Sequence, residues 1–250
     1  MAHGRSTAGH DRPAAEATNG DMNLNGIPPA QGFWALLTDE EKAVLSGLGR
    51  PSTYPPGAVI CVEGDPATHV FVLVEGLAKI LSATADGHEL TLALRGNGDL
   101  VGELAGETTG HRNATMRAIG TVRALIVPYD TFSSFLDAYP GAGKAYRHVV
   151  TGRWNDADSR LRSHPVTNGA HRLAIVLLDL ATRYGSETGQ EVHIAVPLSQ
   201  EELASLAGAS RATVTRALSN WRRRGIIRTG QRDITITGLG DLRKIAGRQP

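Results

Sequence analysis

The chain has 250 residues, of which 41% are hydrophobic and 20% charged, with a net charge of +1 and a single cysteine, Cys61. This length allows one or two domains, and one cysteine excludes an internal disulfide framework and a cysteine-ligated cluster. No apolar run approaches the roughly 18–20 residues of a membrane span, and no secretory signal follows Met1, so we expect a cytoplasmic protein without a membrane partner.

The charge is unevenly distributed along the chain. Residues 166–250 contain 12 Lys or Arg and 7 Asp or Glu, which gives +5. The totals of 26 and 25 then leave 14 and 18 for residues 1–165, which gives −4. This asymmetry indicates a basic nucleic-acid module attached to a near-neutral partner domain.

The first two segments in chain order are a tail and a domain of short strands. Residues 1–31 lack periodic apolar positions, which predicts a disordered tail. Thr38 and Glu41 form a capping box that begins a short helix. The predicted strands cover 59–62, 70–74, 77–81, 90–94, 114–119 and 122–127, with Gly, Asn and Asp turns between them. Strands this short and regular predict a roll or sandwich over residues 32–140, which ends with a helix over 129–139.

One loop of this domain carries candidate ligand-binding residues. Small residues after a strand leave backbone N–H groups free to face an anion, and the planar fork of Arg112 matches two phosphate oxygens. Glu103 can accept hydrogen bonds from a sugar hydroxyl. The alternative is that Glu103 and Arg112 form a structural ion pair. The candidate residues are Gly102, Glu103, Leu104, Ala105, Arg112, Asn113 and Ala114.

A longer helix is predicted over about 142–162, within a dimerisation and hinge segment of residues 141–164. Its apolar positions have nearly the heptad spacing of a coiled-coil seam, which favours a homodimer. Packing on its own domain is the alternative. The seam positions are Tyr146, Val150, Trp154 (or Arg153), Ala157 and Leu161. His164-Pro165 ends the helix and marks the boundary of the last domain, residues 165–250.

The last domain contains a predicted helix-turn-helix. An amphipathic helix over 170–184 and a strand over 192–196 come first. Ser199 and Glu202 then form a capping box, Gly208 permits the turn, and Ser210 is the N-cap of the second helix. Strands at 226–227 and 234–236 around a polar turn read as a two-stranded wing, which predicts a winged helix. A plain helical hairpin with surface arginines is the alternative.

The second helix of this motif has the side chains that a DNA-recognition helix needs. The N-terminal part of such a helix enters the major groove, where an arginine can bond guanine O6 and N7. The candidate DNA-binding residues are Ser199, Gln200, Ser210, Arg211, Thr213, Thr215 and Arg216. We expect the three arginines at 222–224 to contact the DNA backbone or lie in solvent.

The order of these motifs resembles the cyclic-AMP receptor protein/FNR (Crp/Fnr) family of bacterial transcription regulators over about residues 33–246. In that family Gly-Glu-Leu followed by Arg-Ser/Thr-Ala is the phosphate-binding cassette of a cyclic-nucleotide roll. The match implies that Glu103 binds the ribose hydroxyl and Arg112 the cyclic phosphate. The run from Ser210 to Arg216 is similar to the family's recognition helix.

The resemblance implies an α+β fold: a jelly-roll-like cyclic-nucleotide-binding β-roll, a long dimerisation helix and a winged helix-turn-helix. It also implies a homodimer that binds a near-palindromic operator in double-stranded DNA, has RNA polymerase as a partner, and responds to a cAMP-like nucleotide without a required cofactor. Another effector, such as another nucleotide or a haem-bound gas, or no effector at all, remains an alternative. Ala212 stands where the family often has glutamate, which removes an acceptor for cytosine N4, so the operator is expected to differ.

An enzyme is the remote alternative. Gly141-Ala142-Gly143-Lys144 lacks the preceding glycine and the following Ser or Thr of a P-loop. A metal-dependent β-roll enzyme would need clustered ligands, yet His69, His88 and His111 show no paired spacing. We therefore expect no catalytic residue and no metal site.

Overall fold

The structure, a computed structural model, describes residues 32–84, 87, 89–107, 110–163, 168–230 and 233–247; for 106–107 and 156–163 it describes the backbone alone. The tail predicted over 1–31 lies outside these residues. So do His88 and the helix end predicted at His164-Pro165.

The N-terminal domain is a β-roll of two antiparallel sheets. Its strands are β1 (Arg50–Tyr54), β2 (Val59–Cys61), β3 (His69–Glu75), β4 (Ala78–Ala83), β5 (Glu89–Arg95), β6 (Leu100–Val101), β7 (Thr115–Ala118) and β8 (Val122–Pro128). The strand orders are β1-β8-β3-β6 and β2-β7-β4-β5. The predicted roll is therefore confirmed, while β1 and β6 were missed, since β1 includes Pro51 and β6 has only two residues.

Strand β3 is buried on both faces and connects the two cores of this domain. Val70 and Val72 pack in a cluster with the helices, whereas Phe71 and Leu73 pack between the two sheets. A strand covered on both sides needs apolar residues at every position, and this explains its continuous apolar run. The position of β3 matters for the site, because Phe71 and Val72 pair with β6.

Four helices accompany the roll: α1 (Asp39–Leu48), α2 (Glu103–Glu107), α3 (Tyr129–Ala138) and α4 (Pro140–Ser163). The predicted capping box of α1 is present, with Thr38 N donating to Glu41 at 2.8 Å and Glu41 N to Thr38 Oγ1 at 3.2 Å. The 141–144 segment lies in the first turns of α4. None of the described helices is both long enough and apolar enough to cross a membrane.

The predicted seam along α4 divides into two parts. Tyr146 is buried in its own domain with its ring centroid 6.0 Å from that of Phe132, so packing within the domain is correct for this position. Trp154, two turns further on, is 68% exposed. The side chains of Ala157 and Leu161 lie outside the described part of the helix.

The C-terminal domain is a winged helix-turn-helix. It consists of α5 (Gly169–Tyr184), β9 (Gly185–Thr188), β10 (Glu191–Ile194), α6 (Gln200–Ala207), α7 (Arg211–Arg223), β11 (Ile227–Thr229), β12 (Ile234–Ile236) and α8 (Leu239–Ile245). The wing strands β11 and β12 belong to a four-stranded sheet of order β11-β12-β10-β9. The two-stranded wing is thus extended, because β10 pairs with β12 through Val192 and Ile236, which are both buried.

The two domains contact each other through strands β4 and β5. Leu94 of β5 is buried in the apolar cluster of the C-terminal domain. Lys79 of β4 forms an ion pair with Glu202 of α6, and both side chains are about one-fifth exposed. A Cβ on Gly96 would lie 2.7 Å from Cε1 of Tyr184, so the end of β5 packs closely on the end of α5.

Candidate functional site

The first candidate site lies where β6 leads into α2. Gly102 joins them with a φ of +88°, a conformation that side chains other than glycine rarely adopt. A Cβ at this position would also clash with Nη1 of Arg112. Glycine at 102 therefore allows the chain to turn into α2 and lets the guanidinium of Arg112 lie against it.

Arg112 is a buried guanidinium held by backbone groups. It is 4% exposed, and Nη2 donates to the carbonyl of His69 at 2.7 Å while Nη1 donates to that of Gly102 at 3.4 Å. Its Cζ lies 5.1 Å above the ring of Phe71. Among the described side chains no carboxylate lies within ion-pair distance of Arg112. Burial lowers the pKa of Arg112, but a guanidinium remains protonated, so Arg112 is a buried positive charge that no described carboxylate pairs with directly.

Charged groups of both signs lie around Arg112, and the charges of Asp65 and Glu103 act to raise its pKa. Burial lowers the pKa of His69, and the charges of Arg112 and Arg50 lower it further. The imidazole of His69 is therefore neutral at pH 7 and adds no charge of either sign. An anion is the group that would complement the guanidinium of Arg112 electrostatically.

Glu103 pairs with Arg153, which the heptad pattern offers only as an alternative seam position to Trp154. It is 2% exposed and forms an ion pair with Arg153 of α4, not with Arg112. Arg153 Nη2 also donates to the carbonyl of Leu100 at 2.6 Å and lies 4.0 Å from Asp99. The alternative of a Glu103–Arg112 pair is wrong, because the Glu103 carboxylate is paired with Arg153 instead. Arg153, a basic residue within an otherwise apolar repeat, was the available signal.

The other predicted ligand-binding residues lie in the same loop region. Ala105 is buried and its carbonyl accepts a hydrogen bond from Gly110 N at 2.9 Å. Leu104 and Ala114 are half-buried, and Asn113 is exposed next to Arg112. The fold therefore brings the predicted set together, with the two charged members buried and the amide at the surface.

A group of buried polar residues connects this site with the C-terminal domain. Burial lowers the pKa of Arg95 to about 10, Arg153 acts in the same direction, and Asp99 and Glu103 act against it. Burial also raises the pKa of Tyr184 to about 12, with Asp99 adding to the effect. The buried hydroxyl of Tyr184 has no hydrogen-bond partner among the described residues. A change in the charge of Glu103 would therefore act on Arg95, which lies close to Tyr184 at the end of α5.

The second candidate site is the helix-turn-helix formed by α6 and α7. The capping box of α6 is present, with Ser199 N donating to Glu202 at 2.7 Å and Glu202 N to Ser199 Oγ at 3.2 Å. Gly208 has a φ of +56° at the turn, and Ser210 caps α7 by accepting from Thr213 N at 3.2 Å. One face of α7 is buried in the core through Val214, Ala217, Leu218 and Trp221. The opposite face is left for solvent or DNA.

The outer face of α7 presents Arg211 and Arg216 in different surroundings. Nε of Arg211 lies 3.8 Å from Glu201, and both side chains are more than two-thirds exposed. Arg216 is exposed. These two arginines, Ala212 and Thr215 line a surface depression of about 530 Å³. A second depression of about 560 Å³ separates the start of α5, at Asn168, from α7.

The remaining predicted DNA-binding side chains make hydrogen bonds within the protein. The hydroxyl of Thr215 lies 2.6 Å from Oε1 of Gln200 and 2.9 Å from the carbonyl of Arg211. Those of Ser210 and Thr213 lie 2.9 Å apart. In the described parts of the chain, no three His, Cys, Asp or Glu side chains are grouped so as to hold a metal ion.

Comparison with protein families agrees with this division into two sites. Residues 51–139 match the cyclic nucleotide-binding domain, and residues 171–245 match the Crp-like helix-turn-helix domain. The first match includes Glu103 and Arg112, and the second includes all of α6 and α7.

The chain is also similar to known proteins over most of its length. It is 31% identical over 195 residues to the CRP-like cAMP-activated global transcriptional regulator of Mycobacterium tuberculosis, which covers 78% of this chain and 87% of that protein. It is 28% identical over 214 residues to the cyclic AMP receptor protein of Thermus thermophilus, with 86% and 95% covered. The solved structure of FixK2 from Bradyrhizobium japonicum shares the fold, with a TM-score of 0.69, 21% identity, and 79% and 96% covered.

Proposed function

The chain belongs to the Crp/Fnr family of DNA-binding transcription regulators, and we propose that it is a cytoplasmic homodimer whose affinity for its operator is controlled by a cyclic nucleotide bound in the roll. The single observation that carries the effector proposal is Arg112, a buried cation without a paired carboxylate in the described structure. The relatives of this chain are transcription regulators, and we propose no catalytic activity for it.

Arg112 supports a phosphate ligand through its unused donors. A guanidinium has five N–H groups, and two of them serve the carbonyls of His69 and Gly102. The others can bond two phosphate oxygens in the planar fork that arginine offers. The anion would bond directly to a buried charge whose contacts among the described residues are two carbonyls and the Phe71 ring.

The neighbouring residues support a ribose cyclic phosphate rather than a bare anion. Glu103 can accept from a ribose hydroxyl, while Arg153 holds its carboxylate in place. Gly102, Leu104, Ala105 and Ala114 supply the loop backbone, and the exposed amide of Asn113 can donate to the phosphate. In this proposal ligand binding changes the charge balance of Glu103 and Arg153, and so links the roll to α4.

The C-terminal domain supports operator binding through α7. Arg211 and Arg216 are exposed and would bond guanines in the major groove, while Ser199, Gln200, Ser210 and Thr213 would lie near phosphates. The exposed Trp154 on α4 supports a dimer contact with a second copy. Such a dimer would bind a near-palindromic operator with half-sites about 34 Å apart, and RNA polymerase would be its partner at promoters.

The test is operator binding by the purified full-length protein with cyclic AMP, cyclic GMP, cyclic di-GMP and, as a non-cyclic control, 5′-AMP. We expect one cyclic nucleotide to raise operator affinity about 5–150-fold. Arg112→Lys should weaken nucleotide binding at least tenfold, since lysine keeps the charge but loses the fork. The matched control Arg117→Lys changes a roll arginine on β7 and should bind nucleotide as the wild type does.

Two results would contradict the proposal. If no cyclic nucleotide binds, the effector is wrong, and a visible absorption band of the purified protein would then favour the haem alternative. If the protein is monomeric and binds no duplex under any condition, the regulator itself is wrong.

A further inference from the structure

The strip of α7 between Arg211 and Arg216 is apolar. Arg211, Ala212, Thr215 and Arg216 occupy positions i, i+1, i+4 and i+5, which share one face of a helix, and they line the surface depression described above. Ala212 is exposed and offers only a methyl group. Whether this strip is polar or apolar therefore depends on whether Thr215 exposes its hydroxyl or its methyl group.

Thr215 has its hydroxyl engaged inside the protein. Oγ1 lies 2.6 Å from Oε1 of Gln200 on α6 and 2.9 Å from the carbonyl of Arg211, which is one turn earlier. A hydroxyl has a single proton, so these two acceptors already compete for it. Because that proton is engaged, Thr215 cannot donate to a base edge, and since the residue is exposed its methyl is available for an apolar contact.

An arginine–methyl–arginine strip matches a particular pattern of base edges. In the major groove arginine bonds guanine, and the methyl groups of Ala and Thr contact the C5-methyl of thymine. We propose that Ala212 and Thr215 together read a thymine methyl, so that each half-site has a T·A pair flanked by the guanines that Arg211 and Arg216 bond. This inference rests on the proposed function, because it requires α7 to enter the major groove.

The strip also lacks an acceptor for the amino group of cytosine. A carboxylate at 212 could accept from cytosine N4, whereas a methyl cannot. Ala212→Glu should therefore move the preference of this base pair away from thymine toward cytosine. The specificity would lie in two methyl groups, without a hydrogen bond to that base pair.

The experiment replaces thymine by uracil, which removes only the methyl. An operator is first selected from random duplex DNA with the full-length protein and the most effective cyclic nucleotide of the panel. Each thymine of one half-site is then changed singly to uracil. At one position we expect affinity to fall about fourfold, and about sixteenfold when both half-sites are changed, as for loss of one apolar methyl contact at each site.

Two variants assign the effect to this strip. Thr215→Ser keeps the hydroxyl and its bonds to Gln200 and Arg211 but removes the methyl, so the thymine-to-uracil effect should shrink to below about twofold. Thr215→Val keeps the methyl, and the effect should remain near fourfold. Circular dichroism and thermal unfolding of both variants check that α6 and α7 are folded.

The possible outcomes distinguish failure of the methyl contact from failure of the proposed DNA-binding function. If the wild type binds its operator but every uracil substitution changes affinity by less than twofold, the methyl contact is wrong and the regulator stands. If one thymine matters equally in wild type, Thr215→Ser and Ala212→Gly, that methyl is read elsewhere and the inference is also wrong. Absence of any duplex binding would instead remove the proposed function.

Discussion

The ion pair between Lys79 and Glu202 is expected to hold the C-terminal domain against the roll. It joins β4 to α6, and its side chains are 20% and 21% exposed. Pairs on the surface contribute about 0.2–1 kcal/mol, while breaking a fully buried pair costs about 3–5 kcal/mol. A pair one-fifth exposed lies between these limits, so we expect a coupling of about 1–2 kcal/mol.

A double-mutant cycle measures this coupling. The variants are Lys79→Met, Glu202→Gln and the combination, and the cycle subtracts the loss at the capping box of α6, where Glu202 also accepts from Ser199 N. Native-state hydrogen exchange of α6 amides is the assay. A coupling of about 1–2 kcal/mol corresponds to exchange rates that differ about 5–30-fold from additivity.

A matched control exists within the roll. Arg117 and Glu89 make a two-bond ion pair at 2.6 and 2.7 Å, with side chains 33% and 50% exposed. Its cycle, measured on β7 amides, should give less than about 1 kcal/mol. A Lys79–Glu202 coupling no larger than the additivity error of about 0.3–0.5 kcal/mol would refute the reasoning.

Three further results are expected. Burial acts to raise the pKa of Glu202, but its bonds from Lys79 and Ser199 outweigh this and lower it. The pair's stabilisation is therefore present above the ordinary glutamate pKa and is lost as the pH falls through the lower folded-state pKa. Exchange of wild type and Lys79→Met should converge below that pKa. Gly102→Ala should lower stability by about 1–3 kcal/mol in urea unfolding, since φ is +88° and the methyl clashes with Arg112. Trp154→Ser should weaken dimerisation at least tenfold in sedimentation, and an unchanged dimer would place the interface elsewhere.

Local signals predicted the elements well where they were strong. The capping boxes at Thr38 and Ser199 gave the starts of α1 and α6, because each depends on two residues three positions apart. Gly208 marked the turn between α6 and α7, where its φ is positive. The strands of the roll were found because β-forming runs alternate with turn residues.

The missed elements have weak local signals. Strand β1 contains Pro51 and pairs only with β8, and β9 has the polar sequence Gly-Ser-Glu-Thr. Such segments become strands because a neighbouring strand supplies hydrogen bonds, not because of their own propensity. Helix α8, seven residues long, is held by the buried Leu242 against the domain core.

The charge pairs could not be predicted for a similar reason. Glu103 is 50 positions from Arg153 in sequence, and Lys79 is 123 positions from Glu202. The sequence shows that these acidic and basic residues are present and that Arg112 follows a turn. It does not show which cation reaches which carboxylate, because an arginine side chain can satisfy any of several partners within its reach.

By itself, the sequence determined the two domains, the long helix between them, the helix-turn-helix and the loop that carries Glu103 and Arg112. These depend on periodicity, capping and turns, which are set by residues a few positions apart. Only the tertiary structure decided that Arg112 is a buried cation with no paired carboxylate among the described residues, that Arg153 bonds Glu103, and that the hydroxyl proton of Thr215 is engaged. Burial and ion pairing arise from groups that are distant in the chain and are brought together only when the cores form.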